Sequence, residues 1–311
     1  MSLDLHTGAP LPDQLIRNVG NWEQEDLTPG WLASLPATVA ELCERWQIEI
    51  DTVVPDTYIT LVLLGRSAEL GPVVIKSSPL ADEFVAEATA LRLGAGENVS
   101  RLYDVDFERS VMVVERIVPG TQLRQVDMPD EKATRLAAET VATFWRPVAD
   151  PAGLHPLRRW MRGLFEWPLD SNRLDPGLVW HAQEVGDALL ARSTRTCLLH
   201  GDFQHHNLLR RASGEWAIID PKGLVGDPGF EIAAWMYNPP GVSHREDYLD
   251  IVAKRIPICS EVWGIDEQEL IAWSFVGSVL SICWTAASDA APEEWLVSIA
   301  QGARRLRTLV R

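Results

Sequence analysis

Three side chains that could act together on a substrate and a metal ion lie within one short stretch of the chain. Asp202 follows His200 in the run His-Gly-Asp, and Asn207 comes five residues later. A turn at 213–214 then returns the chain as an apolar strand that ends at Asp220. A hairpin of this kind brings Asn207 and Asp220 to one end, with Asp202 on the loop beside them. The arrangement offers a carboxylate base and two oxygen ligands for a hard divalent cation.

The histidines of the same loop admit a different interpretation. His205 and His206 are adjacent and could form a zinc site with His200, as in a metal hydrolase. The chain lacks the regularly spaced cysteine and histidine partners that such sites usually contain, which disfavours zinc. We expect His200 to belong to the catalytic loop and to hold it by bonding main-chain groups, rather than to transfer protons.

The order and spacing of these residues resemble a known group of enzymes. The pattern His-x-Asp-x-x-x-x-Asn, followed by an aspartate at a strand end, resembles the catalytic loop and metal-binding aspartate of protein-kinase-like enzymes. The His-Gly-Asp form, with Ile-Asp-Pro-Lys after the strand, is similar to the aminoglycoside phosphotransferase family. The run 219–231 most resembles the streptomycin 6-kinase and hydroxyurea phosphotransferase branch of that family.

This resemblance implies an activity and a set of catalytic roles. The protein would be an ATP-dependent phosphotransferase that acts on an alcohol group of a small molecule, with Mg²⁺ as the metal. Asp202 would accept or orient the proton of the hydroxyl group. Asn207 and Asp220 would hold Mg²⁺ against the phosphates.

The resemblance also assigns nucleotide-binding roles in the first third of the chain. Lys76 ends an apolar strand and would bind the α- and β-phosphates, oriented by an ion pair with Glu87 on the following helix. Taken singly, the two could equally be a solvated lysine and a surface glutamate. Glu115 and Ile117 fall where main-chain groups would meet adenine. The turn 54–58 should approach the phosphates but contains no glycine, so Thr57 is expected to close it.

The acceptor is less constrained by the sequence than the nucleotide. Asp227 and Glu231 open the next helix, where acidic side chains suit the positive end of the helix dipole. In a streptomycin-kinase-like enzyme they would also border the acceptor site, and both interpretations stay open. The acidic balance is compatible with a cationic, antibiotic-type acceptor such as streptomycin. Hydroxyurea, a sugar derivative or a choline-like alcohol remains an alternative, as does a non-catalytic nucleotide- or ligand-binding protein. No role is apparent for Lys222.

The elements that must position these residues can be read from hydrophobic periodicity. Thr28 as N-cap and Pro29 at the first helical position predict a helix that runs through Trp46. Alternating patterns then predict strands, a hairpin turn at 65–71 and one helix at 81–93. The predicted strands are 48–54, 58–64, 73–76, 103–107 and 111–117. This order gives an antiparallel sheet that carries one main helix.

Helical periodicity dominates after the break at Pro119-Gly120. The predicted helices are 131–145, 178–192, 248–256, 266–287 and 293–310, with one β segment at 197–220. The expected fold is α+β and bilobal, like that of protein kinases. Residues 1–117 would form the nucleotide-binding N-terminal lobe with a helical extension, and 118–311 the mostly helical C-terminal lobe with the catalytic loop and the acceptor-binding helices.

Composition limits the partners and the compartment. The 311 residues are 46% hydrophobic and carry a net charge of −16, which suits a globular protein and disfavours nucleic acid or an anionic membrane as a partner. Four scattered cysteines and a start without a signal sequence predict a cytoplasmic protein. The uncharged segment 270–287 is long enough to span a membrane, but its flanks lack lysine and arginine, so we expect a buried helix. The oligomeric state is not predicted.

Overall fold

The computed structural model describes residues 10–21, 27–55, 57–94, 98–171, 173–287 and 293–310. Two helices come first, α1 (Asp13–Asn21) and α2 (Trp31–Trp46). The helix expected from Thr28 begins at Trp31 instead. Gly30 precedes it in a left-handed conformation with φ of 73°, and the Thr28 hydroxyl donates to the carbonyl of Pro79 at 2.9 Å. The N-cap prediction is therefore wrong, because a tertiary contact holds the threonine.

A five-stranded antiparallel sheet with the order β1-β2-β3-β5-β4 follows the two helices. The second strand departs furthest from its predicted bounds, and most of the other strand ends differ from the prediction by one or two residues. The second strand begins at Leu61 rather than at Tyr58, and it continues through Gly65 to Ser67, so the turn to the third strand covers only 68–70. The strands are β1 (Ile48–Val53), β2 (Leu61–Ser67), β3 (Gly71–Ser77), β4 (Leu102–Asp106) and β5 (Val111–Glu115).

The two faces of this sheet are covered differently. Alternate residues of β2 and β3, such as Leu63 and Ile75, pack against α1 and α2 in one apolar cluster. The helix α3 (Ala81–Leu93) has the predicted bounds, and it buries Phe84 and Leu91 in the larger apolar cluster that continues into the helical part. The N-terminal lobe is therefore packed directly on the rest of the molecule through α3.

The C-terminal lobe is mostly helical, as expected. Its long helices are α4 (Asp130–Ala142), α7 (Pro176–Arg192), α9 (Tyr248–Trp263), α10 (Glu267–Ala287) and α11 (Glu293–Arg307), and its short ones are α5 (Leu157–Trp160), α6 (Arg162–Phe165) and α8 (Ile232–Met236). The ninth helix passes the predicted end at 256 and continues through Pro257. The most apolar 18-residue window of α10 is 83% buried inside the protein, as predicted for a core helix.

Two small sheets position the functional loops. The hairpin of β9 (Leu208–Arg211) and β10 (Trp216–Ile218) pairs with β6 (Pro119–Gln122), and β11 (Leu224–Gly226) lies between β7 (His155–Pro156) and β8 (Cys197–Leu199). The hairpin also reaches the N-terminal lobe, because the Ser100 amide donates to the carbonyl of Ile218 at 2.9 Å. The α+β class, with an antiparallel sheet bearing one main helix and a larger helical part, is confirmed.

Candidate active site

The loop after β8 is held by the ring of His200. Its Nε2 donates to the carbonyl of Ile219 at 2.8 Å, and its Nδ1 accepts from the amide of Asp202 at 3.2 Å. Burial lowers the pKa of His200 to about 4, so the ring is neutral near pH 7. Both nitrogens are committed to the main chain, as the expectation of a loop-holding histidine requires, and neither is available for proton transfer.

Glu231 supports the same loop from beneath. Its carboxylate accepts from the amides of His200 and Gly201, the latter at 3.2 Å, and the residue is only 1% exposed. Burial raises the pKa of Glu231 to about 7. Asp227 is also buried, and it accepts from the amide of Gly229 at 2.8 Å. Both carboxylates are turned into the protein, which supports their structural interpretation, and the expectation that they border the acceptor site stays a prediction.

Asp202 and Asn207 are joined by the loop that lies between them. The Nδ2 of Asn207 donates to the main-chain oxygen of Asp202 at 2.9 Å, and Gln204 donates to the Asp202 carboxylate at 2.7 Å. Among the described residues, no group donates to the Oδ1 of Asn207. Burial raises the pKa of Asp202, while Lys222 and His206 oppose that shift. One carboxylate oxygen and one amide oxygen thus remain free to meet ligands.

A lysine from the N-terminal lobe links both halves of the site. Lys76, in β3 and 7% exposed, forms ion pairs with Glu87 of α3 and with Asp220, whose Oδ1 lies 2.6 Å from Nζ. Burial opposes ionisation of Asp220, but Lys76 outweighs it and lowers the pKa of Asp220 to about 2. The expected pair of Lys76 with Glu87 is present, and it meets the carboxylate that follows the β9–β10 hairpin.

Asp220 has the conformation and exposure of a ligand-binding residue. Its φ of 60° is left-handed, which is uncommon outside glycine and is typical of functional sites. Its side chain is 45% exposed although Lys76 beside it is buried. Carboxylate and amide oxygens suit Mg²⁺, which takes one or two protein ligands and completes its shell with water and phosphate oxygens. Asp220 and Asn207 fit such an ion.

The zinc interpretation finds no support in the part of the chain that the structure describes. That part contains no group of three histidine, cysteine, aspartate or glutamate side chains able to hold a metal. The ring of His205 is instead stacked on Trp235 at 3.8 Å. Arg255, fully buried, bonds Asp130 and the carbonyl of Trp235, so this stack is supported by an ion pair. The histidine packs the loop against the helical lobe.

Only some of the residues assigned to nucleotide binding have hydrogen-bonding groups without a partner in the described chain. The amide of Glu115 donates to Arg101 at 2.8 Å, its carbonyl accepts from Ser100 at 2.9 Å, and its side chain pairs with Arg211. No described residue accepts from the amide of Ile117, which leaves this donor available to adenine. The buried hydroxyl of Thr57 also has no hydrogen-bond partner in the described chain. The neighbouring position 56 lies outside the described residues.

Two residues of this site carried no sequence signal for the places they take. Glu231 lies 31 residues from the first amide it binds, so no local pattern indicated the contact. Lys222 donates its amide to the carbonyl of His200 at 2.7 Å, which places it beside the catalytic loop. In the sequence, only the position of Lys222 two residues after Asp220 pointed to this location.

The fold and the site together define a class of protein. A sheet lysine paired with a helix glutamate, meeting an aspartate–asparagine loop from a helical lobe, is the arrangement of a protein-kinase-like phosphotransferase. Residues 45–289 match the family model described as aminoglycoside/hydroxyurea antibiotic resistance kinase. The chain belongs to this family. It is therefore a small-molecule kinase that acts on hydroxyl groups and inactivates antibiotics, and the resemblance found in the sequence is confirmed.

Individual relatives agree with the family. The chain is 28% identical over 289 residues to a streptomycin 6-kinase of Streptomyces glaucescens, covering 88% of this chain and 91% of that one. It is 28% identical over 248 residues to a streptomycin 3''-kinase of Klebsiella pneumoniae, covering 78% and 90%. A solved amicoumacin kinase, hAmiN in complex with AMP-PNP, Ca²⁺ and Ami, has a TM-score of 0.63 at 12% identity, covering 95% and 97%. This structural likeness confirms the protein-kinase-like fold.

Proposed function

We propose that this kinase transfers the γ-phosphoryl group of ATP to a hydroxyl group of a cationic aminoglycoside of the streptomycin type. The observation that carries the proposal is the bridge formed by Lys76, which joins Glu87 and Asp220 beside the loop of Asp202 and Asn207. Curated relatives named streptomycin kinases and the net charge of −16 support the acceptor class. A kinase for hydroxyurea or another small alcohol is the alternative that the family name supports.

Each side chain has a distinct task in this proposal. Lys76 binds the inner phosphates, and Glu87 keeps its ammonium in place. Asp202, with one oxygen held by Gln204, takes the proton of the acceptor hydroxyl as that oxygen attacks. Asn207 and Asp220 would hold Mg²⁺, which supplies positive charge against the phosphates when bound.

Fewer contacts support the proposed binding of adenine and of the acceptor. The open amide of Ile117 and the unpartnered hydroxyl of Thr57 support nucleotide binding between the two lobes. We therefore keep the division into a nucleotide-binding part, 1–117, and a catalytic and acceptor-binding part, 118–311, as a proposal. Because Asp227 and Glu231 face inward, we expect the cationic acceptor to contact other groups as well, and Asp202 is one of them. Four free cysteines support a reducing, cytoplasmic location.

The test is a transfer assay with a panel of acceptors. Purified protein with ATP and Mg²⁺ is mixed separately with streptomycin, another aminoglycoside, hydroxyurea and choline, and each product is weighed by mass spectrometry. We expect a gain of one phosphoryl group, roughly 80 Da, on streptomycin only. Because the relatives' names include both 6- and 3''-kinases, ³¹P and ¹H NMR of the product would then give the position. Transfer to hydroxyurea alone would overturn the aminoglycoside assignment and leave the kinase assignment intact.

A further inference from the structure

The main chain of Lys222 lies beside the catalytic loop. Leu224 of β11 is opposite Leu199 of β8 in an antiparallel register, and continuing that register puts Lys222 opposite Gly201. The contacts agree, because the Lys222 amide donates to the carbonyl of His200 at 2.7 Å and a Cβ on Gly201 would be 3.3 Å from that of Lys222. The lysine therefore starts beside the residue that precedes Asp202.

The two lysines of the site differ in what their ammonium groups already contact. Lys76 is fully committed, since it holds Glu87 and Asp220 in direct ion pairs. Lys222, half-buried, forms no ion pair or side-chain hydrogen bond with any residue that the structure describes. Its charged neighbours at longer range are mostly acidic, namely Asp202, Asp220, Glu87 and Glu83. A lysine side chain is ordinarily protonated near pH 7, so the group is a cation.

An ammonium group without a direct partner in this position can bind an anionic part of the substrate. The acidic side chains around it attract the group but do not bind it directly, so an incoming anion would find it free. Asp202 marks the place where the acceptor hydroxyl attacks in the proposed function. Lys222 starts beside Gly201, the residue before Asp202, whereas Lys76 comes from the sheet of the other lobe. The anion nearest to Asp202 during the reaction is the terminal phosphoryl group.

We propose that Lys222 is a catalytic residue whose ammonium binds the γ-phosphoryl group of ATP during transfer. This inference rests on the proposed function. In the step, a bond forms between the acceptor oxygen and the γ-phosphorus while the bond from that phosphorus to the β–γ bridging oxygen breaks. The hydroxyl proton passes to Asp202, and the bonding electrons leave with ADP. Lys222 exchanges no proton; it stabilises negative charge on the phosphoryl oxygens.

The test compares ligands with and without the terminal group. Dissociation constants of ADP and of AMP-PNP are measured by calorimetry with Mg²⁺ for the wild type and for Lys222→Met, which keeps the length of the side chain and removes its charge. Loss of a charged hydrogen bond should weaken AMP-PNP about tenfold or more. We expect the dissociation constant of ADP to change less than about twofold on the same grounds.

Two further variants serve as controls. Lys76→Met should weaken both ligands, because this lysine is assigned to the inner phosphates. Lys132→Met, at an exposed position of α4, should change neither. Equal weakening of ADP and AMP-PNP by Lys222→Met, or no weakening of either, would overturn the role of Lys222 while leaving the kinase assignment standing. A wild-type protein that binds neither nucleotide would overturn both.

A measurement on the wild type covers the case in which the variant does not fold. Lysines are acetylated briefly with acetic anhydride, and the modification of each is quantified by peptide mass spectrometry. AMP-PNP should protect Lys222 several-fold better than ADP does, while Lys132 reacts equally in both. Equal protection of Lys222 by the two nucleotides would contradict the proposal.

Discussion

Asp202 is the side chain on which we expect turnover to depend most directly. Its carboxylate keeps one oxygen free and takes the acceptor proton in the proposed reaction. We expect Asp202→Asn to lower kcat by roughly 10²–10⁴-fold, the usual contribution of a general base. Binding of ATP, measured by calorimetry, should stay within about threefold because Asp202 does not hold the nucleotide. A variant that turns over at nearly the wild-type rate would remove Asp202 as the base.

Glu231 acts through the loop rather than on the substrate. In Glu231→Gln, one of the two side-chain oxygens becomes an NH₂ group, so only one of the amides of His200 and Gly201 keeps its acceptor and the loop shifts. Displacing a base by about 1 Å can cost 10²-fold in rate, and we expect a loss of kcat of about that size with a nearly unchanged KM for ATP. The matched control is Asp227→Asn, since asparagine caps as well as aspartate and should leave kcat unaltered.

At this scale the sequence predicted the groups that do chemistry better than the groups that hold them. The pairing of Lys76 with Glu87 was implied by the family resemblance, and the meeting of Asn207 with the Asp202 loop follows from their spacing. The roles of Glu231 and Lys222 do not, because each depends on packing between segments that are distant in the chain. A buried carboxylate at a helix start looks the same in sequence whether it faces a ligand or a backbone amide.

At the level of elements, the two lobes make a tight contact where Gly223 meets α3. Gly223 has φ of +64°, and a Cβ there would lie 2.2 Å from the carbonyl oxygen of Ala86, the residue before Glu87. Any side chain would push α3 away and pull Glu87 from Lys76. The glycine is therefore required both by conformation and by space.

This close approach gives a test with a matched control. Gly264 has nearly the same φ of +63° but nothing within 4 Å of an added Cβ. We expect Gly264→Ala to cost about 1–2 kcal/mol of unfolding free energy, the cost of a left-handed alanine, with no change in kcat. Gly223→Ala should cost more than that and should also reduce kcat, as measured by urea unfolding and the transfer assay. Equal effects of the two substitutions would show that the contact with α3 is unimportant.

Element boundaries show where periodicity was sufficient and where it was not. The bounds of α3 were predicted correctly because its buried face, including Phe84 and Leu91, follows a helical repeat. The start of α2 was predicted wrongly because Thr28 bonds Pro79, more than fifty residues away, instead of capping the helix. The second strand was misplaced because the residues before Leu61 bend rather than pair. Local signals failed where a distant segment competed for the same groups.

For the whole molecule, the buried histidines govern stability in mild acid. Burial lowers the pKa of His200 to about 4 and that of His205 to about 3, so both stay neutral in the fold where the unfolded chain is protonated. Glu231 acts in the opposite direction, because its pKa near 7 means that the fold holds a proton that the unfolded chain has lost. Below about pH 6.5, the unfolded chain binds roughly two protons at these three groups, whereas the fold binds one. Their combined contribution to stability therefore falls as the pH is lowered.

The expected slope can be measured. Urea unfolding between about pH 5 and 6 should show stability falling as the pH is lowered, and each proton by which the unfolded chain and the fold differ is worth about 1.4 kcal/mol per pH unit. Glu231→Gln should steepen the dependence of stability on pH by the equivalent of about one proton. His205→Asn should make this dependence shallower by the same amount. If His205→Asn leaves the slope unchanged, the stacked ring is already protonated in the fold and this account is wrong.

The contact between Gly223 and α3 also bears on how a cell would use the protein. Because Ala86 is packed against the loop at Gly223 and Glu87 is tied through Lys76 to Asp220, α3 is already in the position that orients the lysine. We expect an enzyme built in this way to be competent as soon as it folds. Protection of the cell should therefore scale with the quantity of protein synthesised, so that selection for greater drug tolerance would act on expression level before it acted on this part of the fold.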